Sequence, residues 1–276
     1  RVHNFIPQVP GMDYYDMDPF VMLDYNAKMQ VEPGVQRGVC AHPHRGMATV
    51  TFAYHGSVAH RDSKENKGII NAGDVQWMSA ASGVLHEELY SEEFARKGGD
   101  FQMVQLWVNL PAKHKMDAPG YQTVRREDMG KYQLENNGGV VEVVSGQYKG
   151  VKGPAKSYTD VRLMNVRMNK GGQADFSFPQ SHSTALIVIS GAVEVNGVEV
   201  PHDNVLKFKR KGEDFTIVAT EEDTVVLVMS GEPMHESINA WGPFVMNTHE
   251  EIQQAFKDFG NGAFGEIKNA ACKVRE

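Results

Sequence analysis

The chain has 276 residues and a formal net charge of −7, with 41% hydrophobic and 23% charged residues. This length allows two domains with substantial cores, and the composition is that of an ordinary globular protein. The acidic balance argues against direct nucleic-acid binding, because phosphate neutralisation needs a clustered basic surface. No apolar run is long enough to cross a bilayer and no secretory signal is visible, so we expect a cytoplasmic protein. A leader before Arg1 is left open, since the chain does not start with methionine.

The first half of the chain reads as short strands with almost no helical periodicity. Residues 47–54 are rich in β-branched and aromatic residues and end at a turn containing Gly56. Residues 101–110 alternate between two sets of side chains. The set that begins with Gln102 is mostly apolar, so we expect both faces of this strand to be partly covered.

The second half repeats this pattern of short strands, which are predicted over 140–144, 161–168, 185–189, 192–195, 215–219 and 224–229. The pair Asn196-Gly197 is a strong hairpin signal. A polar stretch from Lys113 to Gly120, extending towards Arg125, predicts the linker, so the predicted domains are 1–125 and 126–276. The basic cluster 207–211 is interpreted as an exposed strand end, with a partner-binding patch as the alternative. Many short strands at regular spacing favour barrels or sandwiches.

One helix is predicted near the end of the chain. Thr248 and Glu251 have the spacing of a capping box, and Gly260 is a plausible stop. Between them runs an apolar stripe with helical spacing, made of Ile252, Ala255, Phe256 and Phe259. This stripe is interpreted as core packing.

Two short segments carry the candidate metal ligands. His42 and His44 are two residues apart, and so are His86 and Glu88. In a β-strand, side chains at i and i+2 lie on one face, so two facing strands of a barrel could bring all four groups to one point. Imidazole nitrogens with a carboxylate favour iron, manganese, nickel, copper or zinc over magnesium or calcium.

The residues around these ligands resemble the pirin family of the cupin superfamily. The resemblance rests on 42–46 (HPHRG), 73–78 (GDVQWM) and 83–88 (GVLHEE). It extends over nearly the whole chain, through 18–24 (DPFVMLD), 110–115 (LPAKHK) and 242–247 (GPFVMN), in the same order.

The resemblance implies an all-β bicupin: two cupin-type barrels, each a double-stranded β-helix or jelly roll, with a short C-terminal helix. It implies one metal ion in the N-terminal barrel, and carried over position by position the ligands are His42, His44, His86 and Glu88. Fe(II) is the expected ion, with Cu, Mn, Ni, Co and Zn as alternatives. No His-x-His pair recurs in the second half, so the C-terminal barrel is predicted to lack a metal site. Its scattered histidines are interpreted as structural or exposed: His182, His202, His235 and His249.

The family resembles quercetin 2,3-dioxygenases, which implies a metal-dependent dioxygenase that opens the heterocycle of a flavonol such as quercetin and releases carbon monoxide. Three histidines and one glutamate leave one or two positions of an octahedral ion open, as catalysis requires. Glu88 is then both ligand and catalytic base, whereas Glu87 ranks below it because it should point to the other face of the strand. The alternative is a non-catalytic, iron-dependent regulator that binds a transcription factor or a metabolic enzyme. A purely structural zinc or nickel site is a third interpretation.

Several neighbours of the ligands have a structural interpretation as well. Trp77 and Met78 line the cavity or belong to the core, and Gln76 supports a ligand or is exposed. Asp74 shapes a turn and Arg45 forms an ion pair. The cysteines, Cys40 and Cys272, predict no disulfide framework and fit a reducing compartment, and Cys40 is interpreted as a small buried residue rather than a ligand.

The chain departs from the family pattern near the predicted substrate pocket. Ala48 stands where general cupins have a glutamate, and Met47 replaces the usual phenylalanine. The pairs 81–82 (AS) and 89–90 (LY) are further changes. These changes lie near the predicted substrate pocket, and all four predicted metal ligands are retained.

Overall fold

The computed structural model describes residues 2–271. Ten strands and one short helix occupy its first half: β1 (Val2–Ile6), β2 (Phe20–Val31), β3 (Gly38–His44), β4 (Met47–His55), β5 (Ser57–Asp62), β6 (Lys67–Asn71), β7 (Val75–Ser79), β8 (Val84–Tyr90), α1 (Glu92–Lys97), β9 (Gly99–Asn109) and β10 (Gly120–Val124). They form a six-stranded sheet in the order β1-β2-β9-β4-β7-β10 and a four-stranded sheet in the order β3-β8-β5-β6. All pairings in both sheets are antiparallel.

Twelve strands follow: β11 (Gly130–Leu134), β12 (Gly139–Ser145), β13 (Gln147–Tyr148), β14 (Val151–Lys152), β15 (Val161–Met168), β16 (Gln173–Ser177), β17 (Ser183–Ser190), β18 (Ala192–Val195), β19 (Val198–Pro201), β20 (Val205–Lys207), β21 (Asp214–Ala219) and β22 (Thr224–Gly231). They again form a six-stranded sheet, β11-β12-β15-β22-β17-β20, and a four-stranded sheet, β16-β21-β18-β19, with β13 and β14 as a separate hairpin. The six strands predicted in this half agree with β12, β15, β17, β18, β21 and β22 to within about two residues at each end. Asn196 and Gly197 both have positive φ and join β18 to β19, as the hairpin signal predicts.

The last elements of the described chain are β23 (Asn239–Trp241), β24 (Phe244–Met246) and α2 (His249–Gly260). Short 3₁₀ turns lie earlier in the chain, at Ala112–His114, Arg126–Asp128 and Glu135–Asn137. Residues 235–271 pack with the first unit, which also contains residues 2–15 and Phe20–Arg125. The second unit contains Asp16–Pro19 and Arg126–Met234. The predicted division differs from this at the C-terminal end, because 126–276 assigned the last segment to the second domain.

The C-terminal segment joins the first unit through buried contacts. Phe244, Ile252 and Phe264 form one cluster with Leu85 on β8. Lys115 is 1% exposed, and its ammonium donates to the carbonyl oxygens of Gly46 and Val245 and to Asn109 Oδ1. A buried ammonium is tolerated when its three protons are bonded, so Lys115 ties β24 to the first barrel.

Each unit is thus a pair of antiparallel sheets that encloses its own interior, which confirms the predicted fold of two cupin-type barrels with a short C-terminal helix. The capping box of Thr248 and Glu251 begins α2 as predicted. Within its apolar stripe, Ile252 and Ala255 are buried, whereas Phe256 is 42% exposed. The prediction missed α1, a six-residue helix capped by Ser91. Among the described residues, no helix combines the length and apolar composition needed to span a membrane.

Candidate metal centre

Two neighbouring strands of the four-stranded sheet, β3 and β8, carry the predicted ligands. They pair antiparallel with His42 directly opposite His86, so these imidazoles belong to one sheet rather than to two facing strands. His44 and Glu88 lie two residues away from them, on the same face by strand alternation. The pairing therefore brings together residues that are more than 40 positions apart in the chain.

The three imidazoles converge. His42 Nε2 and His86 Nε2 are 2.9 Å apart, and the ring of His44 lies 4.8 Å from each of the other two rings. Two nitrogens that bind an octahedral ion at right angles, at about 2.1 Å each, lie about 3.0 Å apart. The separation of 2.9 Å is close to this value, so the spacing of the imidazole pair is compatible with a shared ion as well as with a hydrogen bond between the rings.

Hydrogen bonds to backbone carbonyls fix two of the rings. His42 Nδ1 donates to Cys40 O at 2.8 Å and His44 Nδ1 donates to Pro243 O at 3.2 Å. A ring that donates from Nδ1 keeps the lone pair of its neutral form on Nε2, which is the usual arrangement in a metal-bound histidine. His44 Nε2 is buried and, among the described residues, has no hydrogen-bond partner.

The environment keeps the inner histidines neutral. Burial lowers the pKa of His44 well below its usual range, and an electrostatic contribution from the nearby His42 lowers it further. Burial also lowers the pKa of His86 well below its usual range, with additional contributions from His42, His44 and His60. Neutral imidazole is the form that binds a metal, so these shifts favour coordination over protonation.

Glu88 is held by two donors. Thr51 Oγ1 donates to Oε1 at 3.1 Å and Gln105 Nε2 donates to Oε2 at 2.7 Å, while Gln105 Oε1 accepts from Trp107 Nε1 at 3.3 Å. Hydrogen bonds to both oxygens orient the carboxylate. The potential ligands form two groups that share His86. One group contains the three predicted histidines, and the other contains His86, Glu88 and His60.

His60 on β5 is a residue that the sequence prediction missed. It is 1% exposed, faces Glu88 across the β5–β8 pairing, and lies within 4.8 Å of both Glu88 and His86 by ligand atoms. Its Nδ1 is 2.9 Å from Gln76 Nε2, and its Nε2 is 3.4 Å from Asp62 Oδ2. The spacing of His60 and Asp62 repeats that of His86 and Glu88, so the same i, i+2 rule could have found it.

Asp62 is part of the same network. Burial raises the pKa of Asp62, but hydrogen bonds from His60, from the Asn66 side chain and from the backbone amides of Asn66 and Lys64 outweigh burial and lower it. Gln76 is fully buried and contacts His60 rather than one of the predicted ligands. Gln76 therefore supports His60 on β5 and none of the three predicted histidines on β3 and β8.

The remaining neighbours lie outside the centre. Glu87 points to the other face, where it is paired with Arg61 and accepts from Ala271 N at 3.0 Å. Arg45 forms the expected ion pair, with Asp258 at 2.8 Å. Asp74 accepts from Asn71 N within the turn that precedes β7. Two buried side chains belong to the core and are not among the cavity-lining residues: Trp77 and Met78.

As predicted, Cys40 is not a metal ligand, but the expectation that the cysteines form no disulfide was wrong. Cys40 is half-buried and takes part in a disulfide bond, so it is neither a free thiol nor a thiolate ligand. The backbone oxygen of Cys40 accepts a hydrogen bond from His42 Nδ1 and so helps to orient that ring. The second cysteine, Cys272, lies outside the described residues.

One cavity of about 350 Å³ opens onto the centre, and it lies within the first unit. His42 and Glu88 reach its wall, whereas His44 and His86 are buried behind them. Most of the remaining wall is apolar and includes Met103 and Trp107. The residues therefore fit a metal ion: three converging imidazoles, of which His44 and His86 each have a buried nitrogen without a hydrogen-bond partner among the described residues, an oriented carboxylate, and an open cavity beside them.

Comparison with known proteins identifies the family. The Pirin family model matches residues 2–108 and the model of the pirin C-terminal cupin domain matches residues 163–265. A Pseudomonas aeruginosa protein with the provisional name quercetin 2,3-dioxygenase is 41% identical over 249 residues, which cover 90% of this chain and 87% of that protein. Human pirin is 33% identical over 260 residues, covering 91% of this chain and 84% of pirin.

Solved structures agree with this assignment. The crystal structure of quercetin 2,3-dioxygenase from Acinetobacter baumannii has a TM-score of 0.90 at 42% identity and covers 97% of this chain and 92% of that one. The Escherichia coli pirin YhhW, solved in complex with nickel(II), has a TM-score of 0.65 at 22% identity, with coverage of 84% and 92%, which indicates a shared fold. The chain belongs to the pirin family.

Proposed function

We propose that this protein is a metal-dependent dioxygenase that opens the heterocycle of a flavonol such as quercetin and releases carbon monoxide. The observation that carries the proposal is the cavity of about 350 Å³ that ends on His42 and Glu88. Its volume lies in the range of pockets that bind small organic ligands. A regulator that used the metal only as a redox switch would need no such cavity, whereas a dioxygenase needs room for an aromatic substrate beside the metal.

The donor set supports Fe(II), held by His42, His44, His86 and Glu88. The ion would supply Lewis acidity towards the flavonol oxygens and a redox-active centre for dioxygen. Cu, Mn, Ni, Co and Zn suit the same nitrogen and oxygen donors.

The protein's own residues would position the substrate and take up its proton. Aromatic rings of the substrate fit between the apolar side chains of Phe101, Met103 and Trp107. An oxygen of the Glu88 carboxylate would accept the proton of the flavonol 3-hydroxyl, and Thr51 and Gln105 would keep that carboxylate oriented. In the overall reaction both atoms of dioxygen enter the product, one ring carbon leaves as carbon monoxide, and a depside remains.

The test is aerobic consumption of quercetin by protein reconstituted anaerobically with Fe(II), with carbon monoxide as the assayed product. We expect carbon monoxide from the wild type and none from His86→Ala. A wild-type protein that retains its iron but releases no carbon monoxide from quercetin would contradict the proposal. That outcome would favour the regulatory alternative, in which the same centre serves binding to another protein.

A further inference from the structure

The cavity beside the candidate metal centre has a second acidic side chain. Among the described residues that line it, the carboxylates are Glu88 and Asp24. Much of the remaining wall is apolar, including Met22, Phe101 and Met103. A carboxylate in an apolar cleft costs stability, and Asp24 contacts none of the predicted ligands, so its presence needs a reason other than metal binding.

Strand pairing places Asp24 relative to the centre. On β2, the cavity is lined by Met22, Asp24 and Asn26, which share one face because they are two residues apart. Asp24 pairs with Gln105 on β9, and Gln105 pairs with Thr51 on β4. Gln105 and Thr51 both donate to Glu88. With strands about 4.8 Å apart, the strand of Asp24 lies about 10 Å from that of Thr51, with the strand of Gln105 between them.

A neighbouring side chain holds this carboxylate in place. Asn4 on β1 pairs directly with Asp24, and its Nδ2 donates to Asp24 Oδ1 at 2.5 Å. A carboxylate can accept about four hydrogen bonds, so this contact orients Asp24 and leaves capacity for a further donor. Burial raises the pKa of Asp24, and the bond from Asn4 opposes that rise. The group therefore sits where an additional donor would stabilise its charge.

We propose that Asp24 is a specificity-determining residue that accepts a hydrogen bond from a phenolic hydroxyl on the part of the substrate remote from the metal ligands. This inference rests on the proposed function. Asp24 would select planar aromatic compounds that have a hydroxyl at the end remote from the metal ligands. Such a hydroxyl can donate to the carboxylate, whereas an anionic group at that end would be repelled. Small carboxylate substrates would meet negative charge from both Asp24 and Glu88.

The test measures binding of two flavonols to the iron-loaded protein under anaerobic conditions, where no turnover occurs. Quercetin has hydroxyls on both outer rings, whereas 3-hydroxyflavone has only the hydroxyl that would face Glu88. We expect Asp24→Asn to raise the Kd for quercetin about tenfold, the effect of losing one charge-assisted hydrogen bond. The Kd for 3-hydroxyflavone should change less than about twofold, and the iron content should not change.

Two further variants keep the inference falsifiable. Asn4→Ala retains the carboxylate but removes the donor that orients it, so the Kd for quercetin should rise by less than in Asp24→Asn. Asp100→Asn removes the same charge from β9 outside the cavity, where Asp100 is paired with Lys28 at 2.8 Å, and should leave both Kd values unchanged.

The outcomes separate this inference from the proposed function. If Asp24→Asn leaves quercetin binding unchanged, or weakens the binding of both flavonols equally, the proposed role of Asp24 is overturned. The proposed function is not affected by that outcome. Failure of the iron-loaded wild type to bind either flavonol would overturn the proposed function and this inference with it.

Discussion

The two barrels have the same arrangement of strands but different interiors. In each, a four-stranded sheet begins with two paired strands, β3 and β8 in the first barrel and β16 and β21 in the second. Where the first barrel pairs His42 with His86, the second pairs Phe176 with Phe215, whose stacked rings have centroids 5.1 Å apart. The same backbone pairing thus presents either candidate metal ligands or a buried aromatic contact.

The six-stranded sheets differ in the same way. β4 lies between β9 and β7 and carries buried Thr51, whereas β17 lies between β22 and β20 and carries Leu186 and Val188 in the core of the second barrel. Buried polar groups cost stability unless they are hydrogen-bonded, and beside the cavity of the first barrel Thr51 and Gln105 both donate to Glu88. The second barrel is therefore filled with packed apolar side chains, whereas the first has buried polar side chains beside an open cavity.

The largest effect should come from removing a ligand. We expect His86→Ala to lose its bound iron and all turnover, because the other groups cannot hold the ion alone, while the apo protein remains folded. Metal content is measured by elemental analysis after reconstitution, and folding by circular dichroism. His182→Ala, which removes a buried histidine from the second barrel, is the matched control and should keep its iron. Full iron occupancy in His86→Ala would contradict the ligand assignment.

A change at the carboxylate should separate metal binding from chemistry. Glu88→Gln should lower kcat at least about a hundredfold, since an amide cannot accept the substrate proton, and reduce metal content much less. The rate is measured per bound iron. Glu87→Gln makes the same change one residue earlier, on the face paired with Arg61, and should leave that rate unchanged. Equal rates for Glu88→Gln and wild type would remove Glu88 from the mechanism.

The aromatic pair of the second barrel should matter for stability and not for the metal. Phe176→Ala should lower the free energy of unfolding by about 3–5 kcal/mol, the cost of a cavity in a packed core. Urea denaturation measures it. Phe256→Ala, the same substitution at a side chain that is 42% exposed, should cost less than about 1 kcal/mol. Loss of iron from folded Phe176→Ala would break the division of roles between the barrels.

The smallest effect should come from a supporting residue. Gln105→Leu removes one of the two donors to Glu88 and should weaken metal affinity about tenfold, as expected for a group that orients a ligand. The affinity is measured by competition with a chelator. Gln102→Leu removes a buried glutamine from the opposite face of β9, where it donates to Tyr25 Oη, and should leave metal affinity unchanged. Equal losses in both variants would indicate a general effect on the strand.

Local sequence patterns predicted much of the fold. Alternation and turn residues located the strands around 47–54, 101–110 and in the second half, because strand formation and turn geometry depend on neighbouring residues. The capping box located the start of α2 for the same reason. The i, i+2 spacing of histidines and glutamate led to the candidate ligands, since this spacing alone places two side chains on one face.

What the sequence could not determine depends on which strands pair. Asp24 and Gln105 reach the cavity through β2 and β9, and no local pattern relates these strands to β3 or β8. The return of the chain from His235 onward to the first unit is likewise a long-range packing choice. The sequence by itself predicted most of the element types, the family resemblance and a candidate ligand set. The tertiary structure alone decided how distant strands join those ligands to a polar network and an open cavity, because strand pairing is set by burial over the whole sheet.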